Sequence, residues 1–231
     1  MIDNKTSMTE RQCGKTGQPR SPSQPTSLTI TTLALGVAFL SDVDQDLARI
    51  NAELGPPPMW ARKPGFPTLV HIILEQQVSL ASAKAALIKL KEATLAVTPE
   101  KFLELSDREL KKIGFSRQKT SYCRELALSI LNNEIDLDAL DSMDDPSARS
   151  MLMKVKGIGP WTADIYLLMA LLRPDIWPLS DLALASAIRE LKALSSRPDP
   201  EELDRIASPW RPWRAVAARL LWHYYLSKRR G

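Results

Sequence analysis

The 231-residue sequence is short of cysteine, histidine and glycine, with two, two and nine. Cys13 and Cys123 supply neither a disulfide framework nor a four-cysteine metal or iron–sulfur spacing, which fits a reducing cytoplasm. His71 and His223 stand in no HExxH pattern and in no cluster with carboxylates, so metal-dependent hydrolysis is not indicated. No apolar run approaches the ~20 residues of a membrane span. The start, MIDNKTSMTERQCGKTGQPR, lacks the apolar segment of a secretion signal. A cytoplasmic protein with no membrane partner is expected. Alternating strand patterns and long-period repeats are missing too, which argues against sheets, propellers and solenoids.

What remains is helical. Hydrophobic residues make up 44%, enough for a packed core in one sizeable domain or two small lobes sharing a cleft. Residues 1–27 are rich in Ser, Thr, Pro, Gln and Lys and read as a disordered tail. Apolar spacing of three and four residues then predicts helices over 31–40, 42–54, 67–77, 79–93, 99–105, 107–113, 117–132, 146–154, 160–172, 181–193, 200–206 and 212–227. Thr98 before Pro99 marks one helix start, and Ser106 with Glu109 forms a capping box for the next. GPPPMWARKPG, residues 55–65, is a rigid connector. The expected fold is all-α, a compact two-lobed bundle of about ten short helices over 28–231, with a cleft between the lobes. One lobe would span about 67–175; the other, about 28–66 plus 176–231.

Net charge is +4, and its distribution says more than its size. From Arg205 to Gly231 there are seven basic residues and no acidic ones; from Glu134 to Asp145, six acidic and no basic. A one-sided basic face suggests a polyanion partner. A solvated helix face with a charged tail is the alternative.

The stretch KVKGIGPWTADIY, residues 154–166, places two glycines around one apolar residue, then a proline and a tryptophan that open a helix. Gly157 and Gly159 allow backbone geometry barred to most residues. Unpaired amides of the turn and helix start, with the helix dipole behind them, bind phosphate well. A dinucleotide-binding GxGxxG would need a preceding strand and a third glycine, and both are missing. A plain helix–helix turn remains the alternative.

Several further motifs stand in order around this turn. They are LVHIILEQQVSLASAKAA (69–86), IGFSRQKTSYCRELA (113–127), WPLSDLALASAI (177–188) and WRPWRAVAARLLWHYY (210–225). Together with the turn they resemble the helix-hairpin-helix DNA glycosylase superfamily, and the last of them resembles its 3-methyladenine DNA glycosylase II branch. The family runs LPGIGxxTA at the hairpin, IxxQQxS upstream, and an aspartate about 20 residues after the hairpin, here Asp181. The likeness covers about residues 30–227. It implies a minimal form without an amino-terminal β domain. There are departures. Glu75 stands where many relatives have glycine, and Ala183 where the endonuclease III-like branch has histidine. No four-cysteine cluster motif closes the chain. Trp161 occupies the position of the lysine nucleophile in bifunctional relatives.

The resemblance implies a repair enzyme that flips an alkylated, cationic purine from duplex DNA and hydrolyses its N-glycosidic bond, leaving an abasic site. A buried base must leave the stack to be reached. Such a base is already a good leaving group, so the enzyme has to reach C1′ and stabilise a cationic sugar. Asp181 is the expected catalytic residue, acting electrostatically and on the attacking water. Its place at a helix start favours the carboxylate form; an ordinary N-cap aspartate is the alternative. Trp161 and Trp222 are expected to wall the base pocket, since aromatic faces attract cationic rings by roughly 0.5–2 kcal/mol each. Trp177, Trp210 and Trp213 read as core. Gln77 holds the position at which family members wedge the gap in the stack. Lys156, Gly157, Ile158, Gly159 and Arg214 are the expected phosphate contacts. No metal or other cofactor is expected, although the resemblance allows a monovalent cation at the hairpin. The expected partner is double-stranded DNA containing alkylated bases, met by a monomer in the cytoplasm, at the nucleoid if the source is bacterial. Two other readings remain: a non-catalytic helix-hairpin-helix DNA-binding module, and a purely structural helical domain.

Overall fold

The structure, a computed structural model, describes residues 27–229. The tail expected over 1–27, and Cys13 within it, lie outside the described residues, save position 27 itself. Among the described residues there are twelve α-helices, two short 3₁₀ turns and no strand, which is the all-α architecture expected. In order they are α1 (Ile30–Val43), α2 (Gln45–Leu54), α3 (Phe66–Glu75), α4 (Leu80–Thr94), α5 (Pro99–Glu104), α6 (Asp107–Ile113), α7 (Arg117–Leu131), α8 (Asp145–Met153), α9 (Pro160–Met169), α10 (Leu182–Leu191), α11 (Pro200–Ala207) and α12 (Arg214–Ser227). The 3₁₀ turns are Ala139–Ser142 and Ser208–Trp210.

Local chemistry sets most of the boundaries. The Thr98 hydroxyl accepts from Lys101 N with Pro99 in the first turn of α5. The Ser106 and Glu109 side chains each accept from the other's backbone N–H at the start of α6. Two helices stop earlier than their apolar pattern predicts. α3 ends at Glu75 rather than 77, because Gln76 leaves helical backbone and Gln77 turns to φ 55°. α9 ends at Met169 rather than 172, because Leu172 takes φ 54° and Arg173 N turns back to Leu167 O at 3.0 Å. Apolar side chains simply continue past the point where hydrogen bonding turns.

The closest packings fall into two sets. α1 packs on α2 and α12, and α12 also receives α2 and α10. α3 packs on α4, α7 and α9, while α7 holds α5 and α6, and α8 pairs with α9. Main-chain bonds stitch the sets together: Leu28 N to Leu172 O, Arg62 N to Met169 O and Ala215 N to Pro174 O, at 2.7, 2.8 and 3.0 Å. Arg219 does the same from a fully buried position on α12. Its guanidinium donates to Met59 O, Ala215 O and Leu168 O at 2.8–2.9 Å. Burial lowers its pKa to about 10. Three carbonyls are satisfied at once, so this arginine is a structural bolt rather than a surface charge. Trp177 and Trp210 are buried edge to face at 5.5 Å and belong to the core, as expected.

Candidate active site

The site is built where the hairpin helix α9 meets α10 and α12. α8 ends at Met153, and the turn Lys154–Gly159 leads into α9. Val155 and Ile158 are buried, and Ile158 N bonds Val155 O at 3.0 Å, so the two apolar residues root the turn in the core. The two glycines serve different ends. Gly157 has φ 94°, and a Cβ there would lie 2.2 Å from Tyr122 Cγ. It must be glycine on both counts. Gly159 has φ −89° and ψ −179°, ordinary extended backbone, and a Cβ would meet nothing within 4 Å. Conformational freedom therefore explains the first glycine only. The second leaves open space at the start of α9, where Pro160 has no N–H and no side chain caps the helix. An anion suits such a helix start.

Asp181 is the N-cap of α10 and is 7% exposed. Its Oδ1 accepts from Ala183 N at 3.0 Å and Leu184 N at 2.9 Å, the ordinary work of a cap. The same carboxyl group also takes two indoles. Trp161 Nε1 donates to Oδ2 at 2.8 Å, and Trp222 Nε1 to Oδ1 at 3.2 Å. Trp161 comes from α9 and Trp222 from α12, one from each set of helices. Cap and candidate catalyst are thus one residue, and three residues separated widely in sequence share one small volume. Trp161 is half-buried and Trp222 is buried.

The candidate DNA-binding residues divide. Gln77 lies exposed in the left-handed turn between α3 and α4. It shares a groove of about 430 Å³ with Gln76, Lys119, Lys156, Gly157 and Gly159. Ile158, the buried root of the turn, also touches this groove. The groove holds Gln77, the candidate wedge, and the hairpin residues, and does not include Asp181, Trp161 or Trp222. Arg214 is a correction. Its Nε and Nη2 fork onto the Asp175 carboxylate at 2.9 and 2.8 Å, Nη1 reaches Asp204 at 3.4 Å, and the side chain is only 12% exposed. A guanidinium so engaged is not free for phosphate. Other basic residues of the carboxyl-terminal face are partnered too, although Arg205 and Arg211 stay exposed. Arg211 pairs with Asp175, Arg205 with Glu202, and Arg219 is buried. Lys228 and Arg229 lie over the Tyr224 and Tyr225 rings, and Arg230 is outside the described residues.

Glu75 and His71 also find their places. Arg62 forks onto Glu75 at 2.7 and 3.0 Å, and His71 Nε2 stands 3.4 Å from Glu75 Oε1. Burial lowers the His71 pKa, outweighing the pull of Glu75, so the ring is neutral near pH 7. No grouping of His, Cys, Asp and Glu that could hold a metal ion occurs among the described residues.

The model of one family matches residues 70–212: HhH-GPD superfamily base excision DNA repair protein. The chain belongs to that superfamily. A relative from Schizosaccharomyces pombe, "Alkylbase DNA glycosidase-like protein mag2", is 27% identical over 83% of this chain and 93% of its own length. A Bacillus subtilis "DNA-3-methyladenine glycosylase" is 29% identical over 68% of this chain and 56% of its own. Among solved structures, the S. pombe 3-methyladenine DNA glycosylase (Mag1) in complex with abasic DNA has TM-score 0.75 at 23% identity. That likeness covers 81% of this chain and 95% of that one. An 8-oxoguanine glycosylase/lyase from Clostridium acetobutylicum, in complex with double-stranded DNA, has TM-score 0.73 at 17% identity, over 86% and 71%. At such identities the shared property is the fold, and the HhH-GPD fold carries proteins named for more than one chemistry.

Two side chains at the site of this HhH-GPD chain are not apparent from its sequence. Trp60, in the connector, takes φ 49° and lies edge-on to Trp222 at 6.4 Å and 71°. Its signal was present, a tryptophan in a proline-rich connector, but nothing local tied it to a residue 162 positions on. Gln76 lies beside Gln77, and the motif alone does not show which of the two side chains turns inward.

Proposed function

We propose that this protein is a monofunctional DNA N-glycosylase acting on alkylated, cationic purines in duplex DNA. The carrying observation is the Asp181 carboxyl group held between the indoles of Trp161 and Trp222. Aromatic rings beside a carboxylate suit a positively charged ring, and the same carboxylate suits the cationic sugar that develops at C1′. A water molecule oriented by Asp181 would complete the hydrolysis. The names of the S. pombe and B. subtilis relatives agree with this substrate class.

The two sets of helices are read as two lobes, about 67–175 and about 28–66 plus 176–231, with DNA gripped between hairpin and wedge. Gln77 would fill the gap left by the flipped base. Lys156 and the open start of α9 at Gly159 would meet phosphate. A single copy carries every residue of this scheme, so a monomer suffices. The substrate would set the place of work, at DNA in the cytoplasm, and at the nucleoid if the source is bacterial. No described helix is long and apolar enough to cross a membrane.

Base loss without strand cleavage follows from Trp161. A lyase needs an amine that forms a Schiff base with the sugar aldehyde, and the indole nitrogen here donates to Asp181. The decisive test is release of free base from alkylated duplex DNA by the native protein and by Asp181→Asn. Native release, lost in the variant while DNA binding survives, supports the reading; near-native release by a folded variant removes Asp181 from the mechanism. Borohydride trapping on the same DNA should give no covalent adduct above that variant. A robust adduct lost with one lysine would mark a lyase.

A further inference from the structure

Gln76 joins the two halves of the DNA-facing groove. Its Nε2 donates to Gly157 O in the hairpin at 3.1 Å and to Thr162 Oγ1 on α9 at 2.9 Å. Both amide protons are thereby used, and the carbonyl acceptor fixes which end of the amide points inward. Thr162 is 2% exposed and follows Trp161 directly. Gln76 itself immediately precedes Gln77, whose backbone is held at φ 55°. One side chain therefore ties the wedge turn to the hairpin and to the helix that carries Trp161.

The far side of the groove is braced in the same way. Lys119 Nζ on α7 donates to Leu74 O at 2.7 Å, at the end of α3 just before the wedge turn. Tyr122, one turn further along α7, packs directly under Gly157, and its hydroxyl accepts from Gln118 Nε2 at 2.7 Å. α7 thus fixes the end of α3 and the floor of the hairpin separately. Among the hydrogen bonds of the described residues, those of Gln76 run directly between turn and hairpin.

We infer that Gln76 is a positioning residue that couples the wedge turn to the hairpin, so that gripping phosphate at Gly159 and inserting Gln77 occur as one motion. This rests on the glycosylase reading above. Without Gln76 the hairpin would still hold DNA, but the wedge would no longer be fixed relative to it. Base eversion should then suffer more than binding.

The test compares native protein with Gln76→Met, which keeps length and loses both donors, and with Thr162→Val, which removes one acceptor from the opposite side. Four quantities are measured on each: thermal midpoint, affinity for undamaged duplex, eversion read from 2-aminopurine fluorescence, and single-turnover base release at saturating protein. Gln76→Met should lose about tenfold to a hundredfold in base release and a comparable share of eversion, the cost of two side-chain hydrogen bonds. Undamaged-duplex affinity should change less than about threefold, because phosphate contacts dominate it. The lost rate should largely return on DNA whose damaged base faces a gap and so starts unpaired. Thr162→Val should show a smaller loss that adds nothing in the double variant.

Base release by Gln76→Met within twofold of native overturns the proposal. So does an equal loss on paired and unpaired substrates, or a loss that tracks duplex affinity or thermal midpoint. If Gln76→Met does not fold, Thr162→Val carries the same comparison. A native protein that everts 2-aminopurine but releases no base would refute the enzymatic reading alone. The eversion difference between native and variant would still decide the role of Gln76.

Discussion

Two buried aspartates stand 17 positions apart on consecutive helices, and their surroundings differ in kind. Asp164, inside α9, is 2% exposed and pairs with the Arg149 guanidinium of α8. Asp181, at the start of α10, is 7% exposed, and the hydrogen bonds its carboxyl group accepts come from neutral N–H donors: two amides and two indoles. The first has its counter-charge built in and locks the two hairpin helices together. The second is held by four neutral donors, with no cation bonded to it. Burial alone marks neither as functional; the identity of the donors separates them.

The largest expected effect tests that separation directly. Asp181→Asn should lower base release from alkylated duplex by on the order of a thousandfold, at the upper end of what one electrostatic group supplies. Asp164→Asn should leave release within a few-fold of native, because its carboxyl group faces Arg149 inside the fold. Single-turnover release with both variants, alongside circular dichroism, checks this. Equal losses would erase the distinction between the two aspartates.

The next effect concerns how the hairpin that joins the two regions is built. Gly157→Ala must adopt φ near 94° and push Tyr122 aside. That should cost about 2–4 kcal/mol of stability. Gly159→Ala meets open space at an ordinary φ and should stay within about 1 kcal/mol of native stability, since a helix start tolerates the change. Gly159→Glu should fold and yet bind any duplex more weakly, through charge at the proposed phosphate contact. Urea melts and salt-dependent DNA titrations separate these effects. Identical melts for the two alanine variants would show that the glycines are equivalent after all.

These contrasts also show what the sequence made legible. Caps are written in neighbouring residues, so Thr98, Ser106 with Glu109, and Asp181 could all be read as helix starts. The glycine turn before α9 and the aspartate at the start of α10 could be read because their spacing is a pattern along the chain. Side-chain commitments over distance could not. Arg219 looks like a surface charge on a helix until Met59 O and Leu168 O arrive from 160 and 51 positions away. Arg214 looks free until Asp175 and Asp204 are seen around it. A tally of basic residues over 205–231 therefore overstates the free charge there, since Arg214 and Arg219 are committed inside the fold. Gly157 and Gly159 look alike in the sequence, because sequence cannot distinguish a need for positive φ from a need for open space.

A smaller effect probes the donors on Asp181. Trp222→Phe keeps an aromatic ring and removes the N–H that reaches Oδ1. Loss of one hydrogen bond to a charged group should slow base release about tenfold. Affinity for undamaged duplex should not move. Trp161→Phe, which removes the donor to Oδ2, should behave alike. If both variants release base at the native rate, the indoles serve only as walls, and the N–H contacts do not position the carboxylate.

The last effect lies on the Asp164 side and is read from pH. Burial pushes the Asp164 carboxyl up to about 6, against the opposing pull of Arg149. Its folded value is thus above the unfolded one near 3.8. The folded state then binds the extra proton between those two values. The stability this group contributes is fully present below about pH 4 and is lost as pH rises through about 6. Relative to Asp164→Asn, which does not titrate, the native protein should gain roughly 2 kcal/mol as pH falls from 7 to 4. Other groups titrate alike in both proteins and cancel in the difference. Paired urea melts at several pH values give the number. A difference that shrinks toward acid would mean that Arg149 outweighs burial and holds Asp164 charged. The hairpin lock would then be a net stabilising ion pair, and the contrast with Asp181 would rest on the presence of a bonded cation alone.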